Sequence, residues 1–292
     1  MPSKLCLGTV QFGLKYGINN AIGRQPVKTE TFDLLKKAID LGITTFDTAS
    51  VYGNAEDLLG DFNIAKDSVK VISKLKPNIM DDIVNNVIKE VERSLKRLKL
   101  ALIDGYLLHD AKDFYRQEIM KGLQICKEKS LVKNIGVSVY GVEDALNAVK
   151  SGLIDYIQIP YNVFDQRLNE TDFFELADKN KVKVFARSAF LQGLLLMDID
   201  KLPAHLIEAR PYLEKFNNIT NDYGYSRSEA AFLFSYCNPS IDKVVFGVET
   251  KQQLEFNLKI VSESDGFKGC YDELYNRFNK IERKIIVPSL WN

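Results

Sequence analysis

The stretch T-T-F-D-T-A-S-V-Y-G, residues 44–53, decides how the rest of the chain is read. Apolar and small residues at Thr45, Phe46 and Ala49 make it a short strand running into a loop. Where the run stops, an Asp, two hydroxyls and a Tyr follow closely: Asp47, Thr48, Ser50 and Tyr52. α/β proteins keep their chemistry in polar clusters of this kind at strand ends.

Outward from this stretch, strands and helices alternate. Before it, K-L-C-L-G-T-V-Q-F (4–12) is strand-like and opens into a Gly-rich loop, and a helix over 29–41 carries Phe32, Leu34, Leu35, Ala38 and Ile39 on one face before Gly42 stops it. After it come a helix near 54–62 and the strand S-V-K-V-I-S-K-L (68–75). Residues 81–100 form the clearest helix, with acids first and bases last as the helix dipole prefers. The pattern continues through strands 102–109, 134–139, 156–162, 182–189 and 243–249, separated by helices 117–129, 143–150, 171–180 and 226–237. A helix over 250–261 closes the series. Eight strand–helix units with β-branched strands predict parallel pairing throughout, so the fold class is α/β, a (β/α)8 TIM barrel. One barrel domain is expected over 1–292, with an insertion at about 190–225 and a C-terminal extension at about 262–292. The helix-like part of that extension, 271–285, is expected to pack across the barrel.

Composition bounds the function. Lys+Arg and Asp+Glu are balanced at 39 each, which gives no basic excess for a nucleic-acid or membrane-surface role. No stretch approaches the about 18 consecutive apolar residues of a membrane span, and no signal peptide is evident, so a cytoplasmic location is the expectation. Cys6, Cys126, Cys237 and Cys270 are isolated, without paired spacing or a nearby His, and read as reduced structural thiols. No metal site is expected.

In such a barrel, function sits where strands end. Those positions hold Gly8, Thr9 and Gln11, then Asp47 and Tyr52, Lys74, His109, Ser138, Gln158 with Asn162, Arg187 and Ser188, and Gly247, Glu249 and Thr250. Four of these suggest proton transfer. A Tyr, with an ordinary pKa of about 10, serves as a general acid near neutrality if a lysine cation lowers that value. An Asp would hold the lysine charged, and a His would hydrogen-bond the reacting oxygen. With 13 Tyr in the chain, Tyr52 alone carries little weight, whereas His109 is one of two His. The joint occurrence on one barrel face carries the argument.

At these residues the chain resembles the aldo-keto reductase family. The matching segments are L-G-T-V-Q-F-G (7–13), F-D-T-A-S-V-Y-G (46–53), V-I-S-K-L (71–75), Y-L-L-H (106–109), I-G-V-S (135–138), Q-I-P-Y-N (158–162), F-L-Q-G-L-L (190–195) and G-V-E-T-K-Q-Q-L-E-F-N (247–257). The resemblance implies an NAD(P)H-dependent oxidoreductase acting on a small-molecule aldehyde or ketone. Tyr52 would be the proton donor, Lys74 and Asp47 its electrostatic support, and His109 the residue that orients the carbonyl. Gly8, Thr9, Asp47, Ser138, Gln158 and Arg187 would lie at the nicotinamide end of the cofactor. Ser188, Gly247, Val248, Glu249, Thr250, Gln253 and Asn257 would hold its phosphates and adenosine, with a helix N-terminus near Thr250 facing a phosphate. Gln11, Tyr16, Tyr52, His109 and Asn162 would meet the substrate.

The chain departs from the family pattern at four positions. Val139 stands where Asn is usual, Arg187 where many members stack a Tyr, Gln253 where an Arg grips the 2′-phosphate, and Phe256 where a Glu meets adenine. Family habit favours NADP(H). NAD(H) stays open, because Glu249 suits a free ribose 2′-hydroxyl while Lys251 suits a 2′-phosphate. Gln11, Tyr16, Asn162 and Arg187, with Trp291 the only Trp, suggest a polar, sugar-like or anionic substrate. Two further readings remain: a cofactor-holding sensor of low turnover on the same scaffold, and a Schiff-base barrel enzyme using Lys74. The oligomeric state is left open.

Overall fold

The computed structural model describes residues 4–15, 23–67, 69–262 and 264–291. Its strands are β1 (Leu5–Gly8), β2 (Thr45–Asp47), β3 (Lys70–Leu75), β4 (Ile103–Leu108), β5 (Val132–Ser138), β6 (Tyr156–Pro160), β7 (Lys183–Arg187) and β8 (Lys243–Phe246). They pair in parallel in chain order and close between β8 and β1. The eight-stranded barrel read from the alternation is therefore the fold.

A short helix α1 (Val10–Gly13) follows β1, and α2 (Lys28–Asp40), α3 (Ala55–Phe62), α4 (Ile83–Leu98), α5 (Gln117–Glu128), α6 (Val142–Lys150) and α7 (Phe173–Lys179) form the outer ring. The ring continues through α8 (Arg210–Asp222), α9 (Arg227–Cys237) and α10 (Lys251–Ser262), and the chain ends with α11 (Lys268–Arg277) and α12 (Arg283–Ile286). α4 illustrates the local logic: Val87, Val91, Leu95 and Leu98 recur at three- and four-residue spacing and are buried, and Lys96 and Arg97 occupy its last turn. Each such side chain withdrawn from water contributes about 1.5–3 kcal/mol.

The apolar residues form two separate layers. Outward-facing strand residues such as Leu7, Phe46, Val71, Ile135 and Val244 pack with the helices in the large core. Cys6, Ile72, Leu107, Phe185 and Val245 form a second cluster inside the barrel, bordered by Tyr156. This inner plug closes the barrel below the strand ends.

Three features differ from the sequence reading. The first strand stops at Gly8 rather than continuing to residue 12, because Thr9 accepts from the Phe12 amide and Val10 from the Leu14 amide, which turns the chain into α1. The insertion contains a full helix, α8, whose Leu213, Phe216, Ile219 and Thr220 are buried. The C-terminal segment is not one helix over 271–285 but breaks at Phe278, and α11 packs against α8 and α9. There Phe278 meets Phe164 and Phe216, and Tyr271 stacks on Phe234.

Candidate active site

A cavity of about 570 Å³ opens above the plug at the C-terminal ends of the strands. Its floor follows from strand periodicity, because side chains alternate and residues two apart share a face. The plug residues Cys6, Ile72, Leu107, Phe185 and Val245 are therefore each followed two positions later by a cavity residue: Gly8, Lys74, His109, Arg187 and Gly247. Tyr156 and Gln158 stand in the same relation.

Lys74 Nζ donates to both Asp47 carboxylate oxygens, at 2.8 and 2.7 Å, and to the Thr48 carbonyl at 3.0 Å. Burial disfavours the lysine cation, yet the adjacent Asp47 carboxylate holds its pKa above the ordinary lysine value. Gln158 Nε2 also donates to Asp47 Oδ1, at 2.8 Å, so β6 helps fix the carboxylate. Tyr52, on the loop after β2, lies with its ring centroid 5.2 Å from Lys74 Nζ and 5.7 Å from the His109 ring, edge to face.

Titration separates the roles of these groups. Burial pushes the Tyr52 phenol above its ordinary value, and the pull of Lys74 offsets this only in part. The sequence argument required the opposite direction. A protonated phenol beside a fixed cation is nonetheless what a proton donor needs before it acts. Burial, with Lys74 next, depresses the His109 pKa to about 4, so the ring is neutral at physiological pH. Its Nδ1 is buried with no partner.

Tyr52 is positioned by a close backbone contact. A Cβ on Gly13 would fall 1.7 Å from the Tyr52 carbonyl oxygen, and Gly53, at φ +53°, turns the chain just beyond. Only glycine at 13 lets α1 seat this loop.

The loop after β7 supplies the next wall. Arg187 stacks at 3.9 Å on the Tyr140 ring and donates through Nη2 to the Val139 carbonyl. Ser188, Leu191 and Gln192 hold positive φ values of 62°, 48° and 53°, backbone strain of a kind that clusters at ligand-holding loops. On the far side, Gly247, Val248 and Glu249 lead from β8 into α10, and Gln253, Phe256 and Asn257 line the cavity from that helix. Thr9 Oγ1, Gln11 Oε1 and Glu249 Oε2 are buried without partners in the cavity wall. Such a set of orphaned acceptors and hydroxyls fits an elongated polar ligand of the dinucleotide type.

Most residues singled out in the sequence meet here: Gly8, Thr9, Gln11, Asp47, Tyr52, Lys74, His109, Ser138, Gln158, Arg187, Ser188, Gly247, Val248, Glu249, Gln253 and Asn257 all line the cavity. Asn162 does not. It is buried, with Oδ1 accepting from the Phe164 and Asp165 amides and Nδ2 donating to the Ser188 carbonyl at 3.0 Å. Thr250 lies just outside, where its hydroxyl accepts from the Gln253 amide. Tyr16 falls outside the described residues. Tyr140, Phe190, Gln192 and Ser228 line the cavity without having been expected to. Tyr140 was accessible as the second residue past Ser138, whereas Ser228 comes from the start of α9 and had no local signal.

Comparisons with known proteins bear on the family and the fold. Residues 4–265 match the family model described as the aldo/keto reductase family. The chain is 25% identical over 253 residues to a Bacillus subtilis (strain 168) protein described as "Uncharacterized oxidoreductase YqkF", covering 80% of this chain and 82% of that one. It is 24% identical over 274 residues to the NAD/NADP-dependent indole-3-acetaldehyde reductase of Schizosaccharomyces pombe (strain 972 / ATCC 24843), covering 89% of each. Among solved structures it superposes on aldo-keto reductase AKR11C1 from Bacillus halodurans (holo form) with a TM-score of 0.73 over 95% of both chains, a likeness of fold at 18% identity. With the barrel, the cavity at its strand ends and a family match spanning nearly the whole sequence, the chain belongs to the aldo/keto reductase family.

Proposed function

We propose that the chain is an NAD(P)H-dependent oxidoreductase that reduces an aldehyde or ketone to an alcohol, with Tyr52 as the proton donor. The observation that carries this reading is the convergence of Tyr52 with the Lys74 cation and the His109 ring, at 5.2 and 5.7 Å from the phenol ring. Burial keeps the Tyr52 proton in place at neutral pH. As that proton leaves toward the carbonyl oxygen, Lys74, anchored by Asp47, stabilises the negative charge left on the phenolate. Neutral His109 offers a ring N–H to the same carbonyl oxygen and orients it. When bound, the reduced nicotinamide supplies hydride to the carbonyl carbon.

Ser138, Gln158 and Arg187 would hold the nicotinamide end above Gly8, Thr9 and Asp47. Ser188, Gly247, Val248, Glu249, Gln253 and Asn257 would hold the remainder. The relative described as an NAD/NADP-dependent indole-3-acetaldehyde reductase supports the cofactor class and the carbonyl reduction. Gln11 and Arg187 in the cavity wall favour a polar, sugar-like or anionic carbonyl compound. A Schiff-base role for Lys74 has the geometry against it, because that chemistry needs a neutral amine and Asp47 holds this one charged.

The test is Tyr52→Phe, assayed with NADH and NADPH against a panel of carbonyl compounds. Turnover should be almost abolished while binding of the reduced cofactor, followed by its fluorescence, survives. Persistent turnover would remove Tyr52 as the donor. Failure of the unmodified protein to oxidise bound reduced cofactor with any carbonyl compound would favour a sensor.

A further inference from the structure

The cavity has a second end, across the barrel from His109. β8 stands opposite β4 in the eight-membered ring, and the chain leaving it lines the cavity with Gly247, Val248 and Glu249 before α10 begins. Glu249 Oε2 is buried in that wall and has no hydrogen-bond partner. A carboxylate oxygen can only accept, so this one calls for a ligand that donates.

The charges around it are as telling. Among the described residues that line the cavity, the cations are Lys74, committed to Asp47, and Arg187, stacked on Tyr140. Both belong to the catalytic end. At the Glu249 end the nearby lysines are turned outward: Lys251 pairs with Asp33 at 2.9 Å and Lys37 with Glu255 at 2.6 Å. Arg227, next to the cavity residue Ser228, sends Nη2 to the Met197 carbonyl at 2.7 Å and keeps Nη1 buried without a partner, but the carboxylate its charge faces is Asp198 rather than Glu249. Residues 16–22, outside the described set, contain no Lys or Arg. The Glu249 amide is also taken, by Gln253 Oε1 at 2.7 Å.

We propose that Glu249 makes this protein selective for NAD(H): its carboxylate accepts from a ribose hydroxyl and rejects a ribose that carries a 2′-phosphate. The inference rests on the reductase reading above and reverses the NADP(H) preference that the family resemblance implies. A phosphomonoester carries a charge of about −2 near neutral pH. Set beside Glu249 with no cation to neutralise it, that group meets repulsion and loses its hydration without compensation. A free ribose hydroxyl at the same place donates to the orphaned oxygen, the arrangement by which acidic residues select NAD in other dinucleotide sites.

The experiment is calorimetric titration of the purified protein with NADH, NADPH, ADP-ribose and 2′-phospho-ADP-ribose. The last two lack the nicotinamide and read the far end by itself. NADH should bind more tightly than NADPH by about tenfold or more, with a similar ratio in the ADP-ribose pair. Glu249→Gln should shrink both ratios, chiefly by strengthening the phosphorylated ligands, and Glu249→Gln combined with Gln253→Arg should invert them. Equal or tighter binding of NADPH by the unmodified protein, or ratios that Glu249→Gln leaves unchanged, would overturn the assignment of Glu249. Failure of all four ligands to bind would instead overturn the reductase reading itself.

Discussion

Lys74 Nζ lies 2.8 and 2.7 Å from the two carboxylate oxygens of Asp47, and the two side chains are only 1% and 5% exposed. The pair joins β3 to β2 at the base of the cavity, one inward layer above the plug. A buried pair is tolerated because each charge compensates the other, so removal of one partner costs more than the pair itself contributes.

Asp47→Asn should therefore lower stability by about 3–5 kcal/mol, because it leaves the Lys74 cation buried and uncompensated. Urea unfolding measures the loss. The double change Asp47→Asn with Lys74→Met should recover part of it, and equal losses in the single and double variants would contradict the account.

His109 gives a pH dependence with a definite sign. Its folded pKa is about 4, whereas the unfolded value is about 6.5. Between those values the unfolded chain takes up a proton that the folded chain refuses, so stability is full above about 6.5 and falls as pH drops toward 4. The loss from this group is at most about 3 kcal/mol. His109→Asn should flatten the stability profile in that window, as read from unfolding midpoints between pH 4 and 7.

Gly13→Ala should impair catalysis from outside the cavity. Its new Cβ would lie 1.7 Å from the Tyr52 carbonyl, so the loop that carries the phenol must move. A displacement of about 1 Å in a catalytic group costs on the order of 100-fold in rate. Steady-state kinetics should show that loss in kcat, with reduced-cofactor affinity changed far less.

Asn162→Ala separates a structural role from a substrate role. Its amide closes the turn at Phe164 and Asp165 and holds the Ser188 carbonyl, so truncation should cost about 1–3 kcal/mol of stability. The order of preference among carbonyl substrates should stay as in the unmodified protein. A reordered preference would return Asn162 to the substrate site.

Much of this molecule was legible before its fold was known. Residues 44–53 carry a strand and the loop that brings Tyr52 to the cavity in ten positions, and the β-branched runs at 71–75, 135–139 and 243–248 mark buried parallel strands. Gly8, Lys74, His109, Gln158 and Arg187 could be nominated because a strand's last inward position is set by counting in twos. Counting in twos does not reach Asn162, which stands outside the cavity wall. It lies two residues beyond the end of β6, where the chain has left the strand and alternation no longer says which way a side chain points.

The sequence by itself determined the barrel and the four residues at its mouth, because both follow from local periodicity and from the order of strand ends. Only the tertiary structure decided how those residues titrate. Burial pushes Tyr52 up against the pull of Lys74 and keeps His109 neutral, and burial depends on neighbours distant in the chain. Folding also set the place of Gly13 beneath Tyr52, the outward pairing of Lys251 with Asp33 and the unpartnered oxygen of Glu249. Each of these depends on distances between segments that pattern along the chain does not encode.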